Sequence, residues 1–302
     1  MLAVAVEVAA PAALARVGIA IAVLGVVVGI PHGAVDHMIP SWTSHRPPPM
    51  LAVLGSYVLV AALAAGAFWL LPDVATAVFL IASAYHFGRG EAEATDARDP
   101  LLALAHGSAV VLLPLLLWRT EYVAAIHRVA PELARVFGRP VTLALCELVV
   151  MVNIAVAVRA LRAHNWRLVA DCTALVLLML VTPPLISFGA YFGFWHSMRH
   201  YSRLLSLPGR DGTLLPRGQA LRRFAGAAAV PVTLVLAASA ALLTFSSRDV
   251  VSDAVIVLLA LTFPHMRAVA RLDRLAHPAD DDRLRGLPGG RHPASSGRAD
   301  PS

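Results

Sequence analysis

This chain of 302 residues contains no lysine: all 25 of its basic residues are arginine. A retinal-binding rhodopsin, or any enzyme that works through a Schiff base, needs a lysine amine to condense with a carbonyl. Those classes are excluded on chemistry. Charge of either sign is scarce, with 15% of residues charged against roughly 25% in an ordinary soluble domain. Cysteine is nearly absent. Cys146 and Cys172 stand alone in apolar runs without CxxC spacing, so they read as packing residues and indicate neither a disulfide framework nor a thiolate metal site. Internal repeats are lacking, apart from a Pro-His pair at 31–32 that recurs at 264–265.

Apolar residues fill the space that charge leaves. They make up 58% of the chain and raise its mean hydropathy to +0.70, which predicts an all-α, polytopic membrane bundle, since helices satisfy every backbone hydrogen bond internally in lipid. The first apolar run lacks a preceding basic region and leads into His32 rather than a small-residue cleavage site, so it reads as a retained span rather than a signal peptide. The net charge of +6 and pI near 10.1 do not indicate nucleic acid. The arginines flank apolar spans and gather toward the C-terminus, as in cytoplasmic loops beside anionic lipid.

A helix needs about 20 apolar residues to cross a bilayer. Nine runs approach this, at 12–30, 50–71, 74–88, 101–118, 140–158, 168–182, 185–205, 224–245 and 249–268. The run 74–88 is bounded by Asp73 and Arg89, Asp253 lies in the ninth, and Pro183-Pro184 divides a stretch that, as one tilted helix, would reduce the count to eight. Arginine placement favours nine. The loops after spans one, three, five and seven, together with the C-terminal end, carry the excess of arginine, which puts the N-terminus outside and the C-terminus in the cytoplasm of a plasma-membrane protein. Residues 1–275 form the membrane domain on this reading. Residues 276–302, rich in Pro, Gly, Asp and Arg, form a disordered cytoplasmic tail.

The nine-span arrangement brings histidines to one face. His32 and His37 end span one, His86 in YHFG ends span three, and His196 and His200 in WHSMRH lie in the latter half of span seven. His106 and His265 fall on the same face. An eight-span arrangement would put His196 and His200 about 30 Å from His32, across the hydrocarbon. Positions 196 and 200 are one helical turn apart, so both rings can address one metal, and ionisable residues within spans are usually functional. Neutral imidazole suits iron, copper, nickel and zinc. His45, His127, His164, His277 and His292 are expected to cap helix ends or sit at the headgroup level. Glu147, in span five, is a functional candidate or a hydrogen-bond partner of Asn153. Tyr85, Phe87, Tyr191, Phe192, Phe194 and Trp195 line a pocket or form an interfacial belt.

PHGAVDH at 31–37, YHFG at 85–88, AHG at 105–107, PPLISFGAYFGFWHSMRH at 183–200 and TFPHM at 262–266 together resemble the Brp/Blh family of integral-membrane β-carotene 15,15′-dioxygenases. The motifs occur in family order over nearly the whole membrane portion. The resemblance implies central cleavage of β-carotene by O₂ into two molecules of retinal at a mononuclear, non-haem ferrous iron. It implies His32, His86, His196 and His200 as ligands. Where the family often has an aspartate five residues after the HFG histidine, this chain has Glu91.

The residue chemistry is compatible with that implication. Asp36, Glu91 and Arg199 lie beside the ligand motifs and are candidates to orient imidazoles through their second nitrogen; His37 and His265 would do likewise, or one of them would be a fifth ligand. The aromatic residues would hold an apolar polyene that enters from the lipid. Two rivals differ in kind. A di-iron hydroxylase or desaturase needs roughly twice as many ligands, and HxxHH is absent. A metal or small-solute transporter calls for polar residues on both sides of the midplane and for repeat symmetry.

Overall fold

In the computed structural model of the chain, residues 2–44, 46–95, 99–208, 213–245 and 250–276 are described. His45, His277, His292 and the tail from residue 277 lie outside them. The described residues contain helices and no strand. Helix α1 (Leu2–Ala34) passes through a 3₁₀ turn (Asp36–Met38) into α2 (Ile39–Thr43). There follow α3 (Met50–Leu70), α4 (Pro72–Ala94), α5 (Pro100–Leu112), α6 (Pro114–Leu117), α7 (Arg119–His127), α8 (Pro131–Val136), α9 (Arg139–Arg162) and α10 (Trp166–Val181). Then come α11 (Pro184–Tyr191), a π-helical turn (Phe192–His196), α12 (Ser197–Leu205), α13 (Arg217–Phe245) and α14 (Val250–Ala276).

Over its described residues, each of the nine apolar runs is mostly helical. Six segments among the described residues are both long and apolar enough to cross a membrane: Arg16–Thr43, Met50–Leu70, Pro100–Leu117, Arg139–Arg162, Arg217–Ala237 and Val255–Arg274. The other three runs fall short for visible reasons. Helix α4 carries Asp73, Arg89, Glu91 and Glu93, and α12 carries Arg199 and Arg203. Helix α10 has 16 residues, about 24 Å at 1.5 Å per residue. The single tilted helix across Pro183-Pro184 does not form. Thr182 and Pro183 are extended, with ψ of 144° and 148°, because a residue before proline avoids the helical region and proline has no N–H to continue the ladder.

Local chemistry sets several helix ends. The Asp99 side chain accepts from the Leu101 N–H at 2.9 Å to start α5, and Asn165 accepts from Leu168 at 3.1 Å to start α10. Helix α9 ends in a Schellman motif. His164 takes φ 52°, its N–H donates to the Leu161 carbonyl at 3.0 Å, and the Asn165 N–H donates to Ala160 at 2.9 Å. His164 is thus a capping residue, and exposed His127 closes α7. The linker that reads as an outside loop after residue 118 holds α7 and α8, fastened where the Leu133 N–H donates to Asp73 at 2.7 Å.

Lipid offers no hydrophobic force between helices, so close backbone approach matters more than apolar pattern. A Cβ on Gly88 would overlap the Ala103 carbonyl, and one on Gly107 would overlap Ala84. These glycines let α4 and α5 lie against each other. Gly25, Gly189 and Gly193 do the same for α1 against α11 and the π turn. Outward faces carry exposed apolar side chains such as Leu51, Leu63 and Leu70. Glu147 is exposed on α9 and does not meet Asn153, whose amide donates to the carbonyls of Ala105 and Val149 at 3.1 and 2.9 Å. Cys146 and Cys172 are buried, free thiols, as expected of packing residues.

Candidate metal centre

Five imidazoles meet inside the bundle. They come from the last turn of α1 (His32), from α4 (His86), from the π turn (His196), from α12 (His200) and from α14 just after its internal Pro264 (His265). All are buried, at 4 to 8% exposure. The Nε2 atoms of His32 and His265 are 3.2 Å apart, and those of His86 and His196 are 3.3 Å apart. Ring centroids of His196 and His200 each lie 5.5 Å from that of His32, so residues one helical turn apart do face the same partner. One nitrogen from each of His32, His196 and His265 fits within a mutual separation of 4.8 Å.

The protons on two of these rings follow from their neighbours. His32 Nδ1 lies 2.5 Å from the Gly29 carbonyl; a carbonyl only accepts, so Nδ1 carries the hydrogen. His265 Nδ1 lies 2.9 Å from Asp36 Oδ2, and a carboxylate imposes the same tautomer. In each neutral ring, Nε2 is therefore a lone pair, and the two lone pairs face one another. His200 Nε2 and Asp36 Oδ1 are buried without a hydrogen-bond partner. An orphan of this kind costs about 1–3 kcal/mol, a cost that a cation among the rings would remove at His200.

Supporting residues extend outward from the rings. The Ser197 hydroxyl donates to the Phe192 carbonyl at 2.6 Å, the bond that bridges the π turn, and its oxygen lies 3.2 Å from His32 Nδ1. The Tyr57 hydroxyl donates to Asp36 at 3.3 Å. Neither residue stood out in the sequence. Tyr57 is on another helix with no motif around it, and the role of Ser197 depends on the π turn. Phe87 meets His196 edge-on at 5.0 Å, Phe192 meets His32 at 5.1 Å, and Tyr191 lies beside His196 at 6.1 Å. These three wall the rings.

The remaining expected site residues lie elsewhere. Tyr85 and Phe194 face outward, at 67% and 46% exposure, so they do not line the ring cluster. His37 donates to the Ala34 carbonyl at 3.0 Å and closes its own helix. Glu91 and Arg199 pair with each other rather than with the five rings. Glu91 also accepts from Trp195 Nε1 at 3.3 Å and lies 3.7 Å from His106 Nε2. Arg199 continues to Asp171 at 2.9 Å and stacks over Trp195 at 4.6 Å. His106 in turn is 2.9 Å from the Tyr191 hydroxyl. This second polar group ties α4, α5, α10 and α12 together next to the rings.

The model of the family "Beta-carotene 15,15'-dioxygenase" matches residues 23–273, a range that holds all five rings and both polar groups. The chain belongs to this family. Among family relatives, a protein of Halobacterium salinarum named "Probable beta-carotene 15,15'-dioxygenase Blh" is 29% identical over 284 residues, covering 83% of this chain and 82% of the relative. A "Beta-carotene 15,15'-dioxygenase" of the uncultured marine bacterium 66A03 is 28% identical over 192 residues, covering 59% of this chain and 66% of the relative. No solved structure matches. Membership in the dioxygenase family gives the histidine cluster a chemical context that geometry alone does not.

Proposed function

We propose that this protein cleaves β-carotene at its central double bond with O₂, giving two molecules of retinal, at one ferrous iron held by His32, His86, His196 and His200. The observation that carries the reading is the convergence of buried imidazoles in a chain whose named relatives are β-carotene dioxygenases. The donor set fits the metal. Imidazoles without thiolates suit iron, the rings occupy one small volume, and an unpartnered Nε2 on His200 awaits a cation. Bound iron would supply O₂ activation with an open coordination position.

The chain's own residues do the rest. Gly29 fixes His32 in the tautomer that turns Nε2 inward. Phe87, Tyr191 and Phe192 give the rings apolar walls, against which the middle of a polyene would lie in van der Waals contact. They keep water from the reacting carbons, and no side-chain nucleophile is needed. A polyene dissolved in the bilayer approaches laterally, past outward faces that are themselves apolar. The substrate and the membrane setting thus share one chemistry. The N-terminus would lie outside and the C-terminus in the cytoplasm of the plasma membrane.

The test uses cells that accumulate β-carotene. Expression should convert it to retinal, and the purified protein should hold about one iron per chain, as a mononuclear site requires. Chelation should remove iron and activity together, and ferrous ion should restore both. His196→Ala should abolish retinal formation while remaining inserted in the membrane. An inserted His196→Ala protein with ordinary retinal formation, or a steady two irons per chain, would overturn the proposal.

A further inference from the structure

We infer that His265 is a direct metal ligand, completing a five-imidazole set, and that Asp36 acts through it as the positioning residue that brings negative charge to the metal. The inference rests on the metal reading above and assigns a role to an element, α14, that lies 233 residues from His32 in sequence.

Three observations converge on it. His265 Nε2 is 3.2 Å from His32 Nε2, and its ring centroid lies 5.1 Å from that of His86 and 5.8 Å from that of His200. The ring thus sits among the other four rather than behind one of them. A residue that merely oriented His32 would engage its Nδ1, but that atom is already committed to Gly29. Finally, Asp36 holds His265 Nδ1–H at 2.9 Å, which turns the lone pair of Nε2 toward the same point as that of His32.

Charge supplies the reason for the pair. A divalent cation held by four neutral imidazoles keeps its full double charge in a low-dielectric interior, where an uncompensated charge is poorly tolerated. Asp36 is 3% exposed and hydrogen-bonded to a ring of the cluster. Glu91, the other nearby buried carboxylate, is already paired with Arg199. Carboxylate–histidine–metal chains raise ligand basicity and fix ring orientation, and losing the carboxylate lowers metal affinity 10–100-fold in comparable sites, roughly. Tyr57 steadies the same carboxylate oxygen, so the chain runs from α3 through the 3₁₀ turn to α14. Five imidazoles around a six-coordinate ion would leave one position for a small ligand.

The competing arrangement is a His265 imidazolium that pairs with Asp36 and donates to His32. It would exclude both rings from the metal.

The experiment titrates Co²⁺ into the full-length protein in detergent, with visible ligand-field absorption and bound metal per chain as readouts. Monodispersity is checked for every variant. His265→Ala should weaken Co²⁺ binding at least about 10-fold and change the absorption envelope, and added imidazole should restore it. Asp36→Asn should weaken binding about 10–100-fold with the ligand set kept. It serves as the second variant if His265→Ala is poorly folded. His37→Ala, next to Asp36 in the chain but turned toward Ala34, should match the unaltered protein. If His196→Ala loses the metal while His265→Ala and Asp36→Asn keep the original affinity and spectrum, the inference is overturned and the metal reading stands. Tighter binding in His265→Ala would establish the imidazolium arrangement and overturn it as well. If His196→Ala also binds unchanged, the metal reading itself has failed.

Discussion

At His32, one proton determines what the ring offers, and the backbone carbonyl of Gly29, one helical turn earlier, determines the proton. The same logic separates the residues around the rings into those that address an imidazole nitrogen and those that hold helices together. Asp36 belongs to the first group through His265; Glu91 belongs to the second, through Arg199 and Trp195. Glu91→Ala leaves Asp171 as the carboxylate partner of Arg199 and removes the ion pair between α4 and α12. Activity is expected to fall about 10–100-fold, as for outer partners of a metal site, with metal content near that of the unaltered protein. Iron analysis beside retinal formation checks this, and loss of metal in Glu91→Ala would place the carboxylate closer to the rings than described. The four histidines and Asp36 were legible as candidates because they stand in short, chemistry-rich motifs. Tyr57 and Ser197 were not, because nothing local marks a tyrosine or serine whose partner lies on another helix or across a π turn.

At the scale of elements, small residues at helix crossings fix where the rings stand. Gly88 and His86 share α4, so the separation of α4 from α5 also sets the depth of the ring. Gly88→Leu or Gly107→Leu forces a side chain into a facing backbone carbonyl, and backbone has no rotamer with which to move aside. Overpacking of this kind costs about 1–3 kcal/mol or more. Both variants should reduce the folded, membrane-inserted population, measured by detergent-extracted monodisperse yield. Gly55, with nothing within 4 Å of a Cβ, should accept alanine without loss; normal yield from Gly107→Leu would show that the helices do not cross as described. The π turn acts at the same scale. It inserts one residue's worth of rotation before α12, and such turns are frequent at functional sites. The sequence shows FGFWH as an aromatic stretch but gives no sign of the wider turn, which is held by the Ser197 bonds to Phe192.

At the scale of the whole molecule, the rings from the last turn of α1 and from within α4 and α14 gather with those of the π turn and α12 inside the bundle. Arginine bias predicts a cytoplasmic C-terminus and an external N-terminus. A reporter fused after residue 275 should therefore be cytoplasmic and one fused at the N-terminus external; finding both on one side would require an even number of crossings and a different bundle. Six segments have the length and apolarity to cross unaided. Helices α4, α10 and α12 are shorter or more charged, and they also carry Glu91, Asp171 and Arg199 of the polar group beside the rings.

The sequence by itself determined that this chain is helical and built for lipid, because backbone groups in hydrocarbon must bond within their own segment. It also determined family membership through ordered motifs, and the common direction of His196 and His200 through helical periodicity. Only the tertiary structure decided which faces turn inward. In a soluble helix the apolar stripe marks the core, but here lipid and core are equally apolar, so Tyr85 on the outside and Phe87 against His196 look alike in sequence. The meeting of His265 with His32, and of Asp36 with both α3 and α14, likewise exists only after folding. Proton positions and facing lone pairs depend on atoms that helix packing brings together, and no spacing along a single chain segment encodes them.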